Sequence, residues 1–272
     1  MKICMMSVPY RDFLDEVKFA GENGFDGVEL AFEYPSSTPE QVLARKDELL
    51  DLLSTYKLTR LAHTQTFVDI ANFYDELREA SISETVKALD AAYKLEIGFL
   101  TVHPGFRFPL LSRERAFQNA ANSLRKLAGK AEDYGLTIGV ENLPAGVPPL
   151  SEHFTRVDEF KKLFSQLQLE NLSLVLDIAH ANLPRSDPPQ SFIEELYGSL
   201  SHVHVSDNLG ERDDHLPLGA GRTDYATPLK QLAEKGYKGT ITLEVFSPDR
   251  EYRVISKRKL ESALNGKWKG YG

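Results

Sequence analysis

From Lys2 to Asn265 the sequence alternates short runs rich in β-branched residues with longer amphipathic runs, and it does so eight times. The strand-like runs are Lys2–Ser7, Gly27–Leu30, Leu58–His63, Phe99–His103, Thr137–Glu141, Ser173–Asp177, Ser201–Ser206 and Thr240–Glu244. Between them fall helix-like segments. The first, Tyr10–Asn23, stops at Gly24, and the second is started by Thr38-Pro39-Glu40-Gln41 and runs to about Tyr56. The others are Ser83–Tyr93, Ser112–Tyr134, a helix capped by Thr155-Arg156-Val157-Asp158, Gln190–Tyr197, Tyr225–Lys235 and Asp249–Asn265. Thr38 with Gln41 forms a capping-box pattern, with proline at the first helical position. In Ser112–Tyr134, Ala116, Ala120, Leu124, Leu127 and Ala131 form one helical stripe that needs a core to cover it. Strands separated by a helix each time run parallel, and eight such units close on themselves. The reading is therefore an α/β chain, a single (β/α)8 TIM barrel over residues 1–272. A two-domain doubly wound fold is the alternative, but no Gly-x-Gly-x-x-Gly follows the first strand.

Composition narrows the class. A chain of 272 residues, 42% hydrophobic and 26% charged, can bury the core that a barrel of this size needs. No run approaches the ~18 apolar residues of a membrane span, so no membrane partner is expected. Met1–Ser7 is too short and too quickly polar for a signal h-region. With a single cysteine, Cys4, this leads us to expect a cytoplasmic protein without an intrachain disulfide. A net charge of −8 supplies no global attraction to nucleic acid. The tail Trp268–Gly272 would either dock on a partner subunit of a homo-oligomer or fray.

The strand ends carry the chemistry. The third ends in His63, the fourth in His103, the fifth in Glu141, the sixth in Asp177 and the eighth in Glu244, and His204 lies in the seventh. His180 follows Asp177 by three residues, and Asp207, Asp213 and His215 sit in the loop after the seventh strand, closed by Gly219 and Gly221. In a barrel all these ends share one rim, where the βα loops build the active site. Singly, each residue has an ordinary reading. A strand-end histidine is usually a hydrogen-bonded structural group, Asp177 suits a helix N-cap, and Asp213 suits a solvated loop. His202 is read as structural and Glu29 as a rim or substrate group. Arg107, Arg113 and Arg222 read as solvated, with a phosphate grip as the alternative for any of them and Arg222 the substrate candidate. The set is harder to dismiss. Glu141, Asp177, Asp213 and Glu244 on one rim would repel by up to about 4 kcal/mol per close pair. Interleaved neutral histidines and an absence of converging lysines favour a bound cation as the compensation over protonation.

In this order His63, His103-Pro104-Gly105, Glu141-Asn142, Asp177-x-x-His180, His204, Asp213-x-His215 with Gly219-x-Gly221, and Glu244 resemble the xylose isomerase-like TIM barrel superfamily. That group includes sugar and sugar-phosphate isomerases and epimerases and also endonuclease IV. The resemblance runs from the second strand to the eighth. It implies that Glu141, Asp177, His204 and Glu244 hold one divalent ion, manganese or magnesium, which acts as a Lewis acid on a carbonyl and hydroxyl. It also implies that Glu141 and Glu244 are catalytic, moving a proton at the carbon beside the carbonyl through an enediolate, with His180 against a substrate oxygen. In the endonuclease IV branch, His63 and His103 join Glu141 at one zinc, and His180, Asp213 and His215 hold another. These five residues are thus further candidates for metal or substrate.

Three departures separate the chain from that branch. Thr66 replaces a tyrosine, Ser206-Asp207-Asn208-Leu209 replaces the turn after the seventh strand's histidine, and Asp214 replaces an arginine beside a would-be phosphate. His215, where ketose 3-epimerases often place arginine, argues against a simple ketohexose 3-epimerase. The leading expectation is thus a divalent-metal-dependent isomerase or epimerase of a small sugar or sugar phosphate. An elimination on a cyclic polyol is a minor variant. The alternative is a zinc phosphodiesterase acting on abasic DNA, the one reading with a nucleic-acid partner. A metal-binding barrel without catalysis comes third.

Overall fold

The computed structural model describes residues 1–145 and 153–266, so the tail Trp268–Gly272 lies outside the described residues. Eight strands pair in sequence order, every pair parallel, and the first closes on the last. They are β1 Lys2–Met6, β2 Gly27–Ala31, β3 Thr59–His63, β4 Phe99–Val102, β5 Thr137–Glu141, β6 Leu172–Asp177, β7 Leu200–Val205 and β8 Thr240–Leu243. The helices are α1 Phe13–Glu22, α2 Pro39–Ala44, α3 Lys46–Thr55, α4 Asp75–Lys94, α5 Arg113–Asp133, α6 Val157–Leu167, α7 Ile178–Ala181, α8 Pro189–Leu196, α9 Ala226–Glu234 and α10 Glu251–Leu264. This is the (β/α)8 barrel expected from the alternation. No helix among the described residues is long and apolar enough to cross a membrane.

Strand composition follows from position. Parallel barrel strands are covered on both faces, by the interior and by the helices, so they read as near-continuous apolar runs. β6, Leu-Ser-Leu-Val-Leu-Asp, is buried along its whole length. The five small and apolar residues of the α5 stripe are all buried, as the periodicity requires.

Three helix boundaries differ from the sequence reading. The capping box forms, with Thr38 N donating to Gln41 Oε1 at 2.9 Å, but the helix breaks at Arg45 into α2 and α3. Arg45 leaves helical geometry (φ −121°, ψ 29°) while its guanidinium bridges Asp12 at 2.5 Å. α4 begins at Asp75, eight residues before Ser83, because its first turns are solvated and carry little apolar signal. Thr155 does not cap α6. Arg156 holds that position, and Glu159 reaches back to accept from the backbone N–H groups of Thr155 and Arg156 at 3.0 and 3.2 Å.

Barrel closure is clasped outside the strands. Glu16 on α1 and Arg253 on α10 are both fully buried. Arg253 Nη1 donates to Glu16 Oε2 at 2.5 Å, and Arg250 Nη2 lies 3.1 Å from Glu16 Oε1. Neither residue signals this pairing, since each alone reads as a solvated helix charge.

Candidate functional site

The ends of β3 to β8 deliver their side chains to one place, and Glu141 lies at its centre. His204 Nδ1 stands 2.9 Å from Glu141 Oε1 and 3.3 Å from Glu244 Oε2. Nε2 of His63 and of His103 both approach Glu141 Oε2, at 3.2 and 3.0 Å. His180 Nε2 and His215 Nε2 meet on Asp213 Oδ2 at 3.1 and 2.7 Å. Four groups among the described residues have ligand-type atoms within 4.8 Å of one another: Glu141–Asp177–His204–Glu244, His63–His103–Glu141, His180–Asp213–His215 and, deeper, Glu29–His202–His204. All nine candidates other than Arg222 are therefore brought together. Arg222 is exposed and is not among the residues lining the adjoining cavity, whose arginine is Arg212.

Several neighbours act as braces. Asp177 Oδ1 accepts the backbone N–H of His180 at 2.7 Å, capping α7, so the N-cap and ligand readings hold for two different oxygens of one residue. Asn142 fixes Asp177 from behind, accepting its N–H at 2.7 Å and donating to its carbonyl at 3.0 Å. Asp207 turns into its own loop and accepts from the N–H groups of Asn208, Gly219, Gly221 and Thr223 at 2.8–2.9 Å. It organises the loop instead of joining the cluster. Gly221 is required there, since a Cβ would fall 2.3 Å from Asn208 O.

Glu29 is not a rim group. It is fully buried, one layer below the cluster, and its carboxylate meets Nε2 of His202 at 2.9 Å and Nε2 of His204 at 3.1 Å while accepting from Thr101 Oγ1 at 2.7 Å. A carboxylate behind a histidine fixes its tautomer and aims its other nitrogen, here Nδ1, at the centre. His202 keeps the structural role read from the sequence. Glu29→Gln is expected to weaken divalent-ion affinity about 10- to 100-fold. Competition against a chelator of known affinity checks this, and unchanged affinity would remove the bracing role.

The electrostatics follow from the packing. Burial favours the neutral acid of Glu141, but His204, His103 and His63 outweigh it and hold the carboxyl well below its usual range. Burial, and then the carboxylates of Glu244, Glu141 and Asp213, push Asp177 up to about 6, with His180 pulling the other way. Burial opposes protonation of His215, but Glu244 and Asp213 raise it to about 9. His180 and His204 are likewise held well above their ordinary value, by Asp177 and Asp213 and by Glu29 and Glu141 respectively, against burial. Protons on imidazoles thus balance the carboxylates when no cation is bound. A raised histidine pKa stabilises the fold below the unfolded value of about 6.5, and that stabilisation is lost as pH rises through the folded value. Thermal melts of chelator-treated protein are expected to fall from pH 6.5 to pH 9, more steeply than melts in excess divalent ion. Parallel curves would show that the imidazole protons do not provide the balance.

The donor set fits a divalent cation. Asp177 Oδ2, Asp213 Oδ1 and His215 Nδ1 are buried and have no hydrogen-bond partner, an expensive state for a polar atom unless a ligand completes it. Carboxylate oxygens with imidazole nitrogens suit manganese, magnesium or zinc.

Above the groups opens a cavity of about 400 Å³. Glu244, His180, Asp213 and His215 line its floor together with His63 and His103. Glu141, 1% exposed, is not among the lining residues. His153 also lines the cavity, and nothing in the sequence marks it, because it follows an aperiodic stretch without a strand end.

A barrel with a carboxylate–imidazole centre at its C-terminal rim defines a class, and comparison with known proteins agrees. The model of the xylose isomerase-like TIM barrel family matches residues 17–264, and the chain belongs to that family. Fructoselysine 3-epimerase of Escherichia coli O157:H7 is 22% identical over 252 residues, 89% of this chain and 89% of that protein. A probable endonuclease 4 of Aquifex aeolicus is 24% identical over 216 residues, 74% of this chain and 72% of its own length. The crystal structure of a D-tagatose 3-epimerase-like protein superposes with a TM-score of 0.83 at 24% identity, covering 98% of each chain, a likeness of fold.

Proposed function

We propose that the chain is a divalent-metal-dependent isomerase or epimerase of a small polyhydroxylated carbonyl compound. The observation that carries this reading is the position of Glu244, a buried carboxylate that meets His204 on one side and lines the open cavity. Glu141, Asp177, His204 and Glu244 would hold the ion, which when bound polarises the substrate carbonyl and the neighbouring hydroxyl.

The side chains themselves do the remaining work. Burial raises the Glu244 pKa and His215 and His204 lower it, with a net shift downward, so it begins ionised and able to take a proton from the carbon beside the carbonyl. The enediolate that forms is reprotonated from the same or the opposite face. Glu141 starts ionised with its Oε2 shared by His63 and His103, so to reprotonate the opposite face it would first take a proton from one of those imidazoles and pass it on as that contact opens, while Glu244 keeps the proton it removed until solvent takes it. His180 offers an imidazole to a substrate oxygen from the floor. Solvent exchange tests the reading. Incubation with a panel of ketoses and inososes in D2O is expected to replace a substrate C–H with deuterium, followed by proton NMR. Retention of every C–H across the panel would count against proton transfer.

One observation favours a second reading, zinc phosphodiester hydrolysis. The groups His63–His103–Glu141 and His180–Asp213–His215 supply two further ion positions beside the first. Elemental mass spectrometry without added metal separates the readings. About one manganese or magnesium per chain supports the isomerase, whereas two or three zinc ions make abasic-site DNA the first substrate to test.

A further inference from the structure

The lining of the cavity over the centre is of two kinds. The ligand groups present Glu244, His215, Asp213 and His180, whereas much of the rest of the lining is apolar, with Met6, Phe67, Phe106, Leu143, Pro144 and Phe246 beside Thr64, Thr66, Glu33 and His153. Its volume, about 400 Å³, lies in the range of pockets for ligands with a body as well as a reacting end.

Charge at the walls points away from an anionic substrate. Arg212 is the one lysine or arginine among the described lining residues; it is exposed, and its Nε is engaged with Asp214 Oδ1 at 2.8 Å. His153 adds no cation, since burial, and then Arg107 and Arg113, bring its pKa down to about 3. Those two arginines are not among the lining residues. Beyond the imidazoles of the floor, which are paired with the carboxylates beside them, a phosphate entering here would meet Glu33, Asp213 and Glu244 without a buried lysine or arginine to grip it. Nor does the apolar part of the lining suit a bare polyol, whose hydroxyls would lose water against Phe and Leu side chains and find few partners. Phe67, 84% exposed, presents an uncovered aromatic face at the same opening.

We infer that the cavity takes an uncharged polyhydroxylated carbonyl compound bearing an apolar or aromatic substituent, such as a substituted ketose, in place of a phosphorylated sugar. The polyol lies against Glu244 and His215, and the substituent against Phe67, Phe106 and Phe246. The inference rests on the sugar reading above and extends it to the part of the substrate that does not react.

The test is calorimetric titration of the metal-loaded protein with phenyl β-D-glucopyranoside and methyl β-D-glucopyranoside, unreactive stand-ins for the substituted compound, and with D-glucose 6-phosphate. The phenyl glycoside is expected to bind at least about tenfold more tightly than the methyl glycoside, and the phosphate more weakly than either. Phe67→Ser, at an exposed position where folding is not at stake, is expected to shrink the phenyl preference. Equal affinities for the two glycosides, tighter binding of the phosphate, or no binding of either glycoside would overturn the inference. It fails separately from the sugar reading. Deuterium exchange on the ketose panel without a phenyl preference removes only the substituent site. A phenyl preference without exchange leaves the substituent site and removes the proton chemistry.

Discussion

Glu244→Gln is expected to slow substrate proton exchange by roughly 10²- to 10⁴-fold while the protein stays folded, the range associated with loss of a positioned general base. Glutamine keeps an oxygen for the cation and the hydrogen bonding of the floor, so metal content should fall little. Glu141→Gln should behave differently. Glu141 belongs to two of the ligand groups and is roofed by His63 and His103, so its loss should lower the number of ions bound as well as the rate. Exchange rates and elemental content measured on the same two preparations check both statements. Full activity in Glu244→Gln would remove the acid–base assignment. Equal metal loss in the two variants would mean that Glu244 is mainly a ligand.

That distinction between two glutamates was not available from the sequence. Both close a strand, and both therefore reach the rim. Strand order and strand ends suffice to gather His63, His103, Glu141, Asp177, His204 and Glu244, because a parallel barrel delivers every C-terminal end to one side. What they leave out is depth along the barrel axis, which depends on stagger between strands that do not neighbour each other. Glu29 shows the consequence. It lies near the end of β2, yet it sits below the centre and meets His202 and His204 from across the barrel, on β7. The same limit hides Asp207, whose four backbone donors appear only once the loop through Gly219 and Gly221 has folded back on it. Arg222, chosen from the sequence for its charge, points away because its backbone N–H is taken by Asn208 O at 2.7 Å on the outer course of that loop.

The largest expected effect on stability lies away from the centre, at Glu16→Gln. Glu16 and Arg253 are fully buried 237 residues apart in sequence, and their contact ties α1 to α10 across the closure of the barrel. Replacing the carboxylate by a neutral amide leaves the Arg253 charge buried without a counter-ion, facing one amide oxygen, Val245 O at 3.2 Å from its Nε, and a soft contact to Met5 sulfur at 3.8 Å. Breaking such a pair from one side costs about 3–5 kcal/mol, because the remaining charge stays desolvated without its partner. The loss should appear as a lower denaturant midpoint with little change in slope. Replacing both partners, Glu16→Leu with Arg253→Met, should recover most of it, since no charge is then left buried. Lys126→Ala supplies the contrast. Lys126 pairs with Glu79 at 2.6 Å, a distance close to that of the buried pair, but both side chains are 56% exposed and water takes over from the lost partner. If the two single variants lose equal stability, burial does not govern the Glu16–Arg253 pair and the clasp has no special role. If Glu16→Gln alone is strongly destabilised and the double variant recovers, the closure of this barrel depends on two charges neutralising each other out of reach of water.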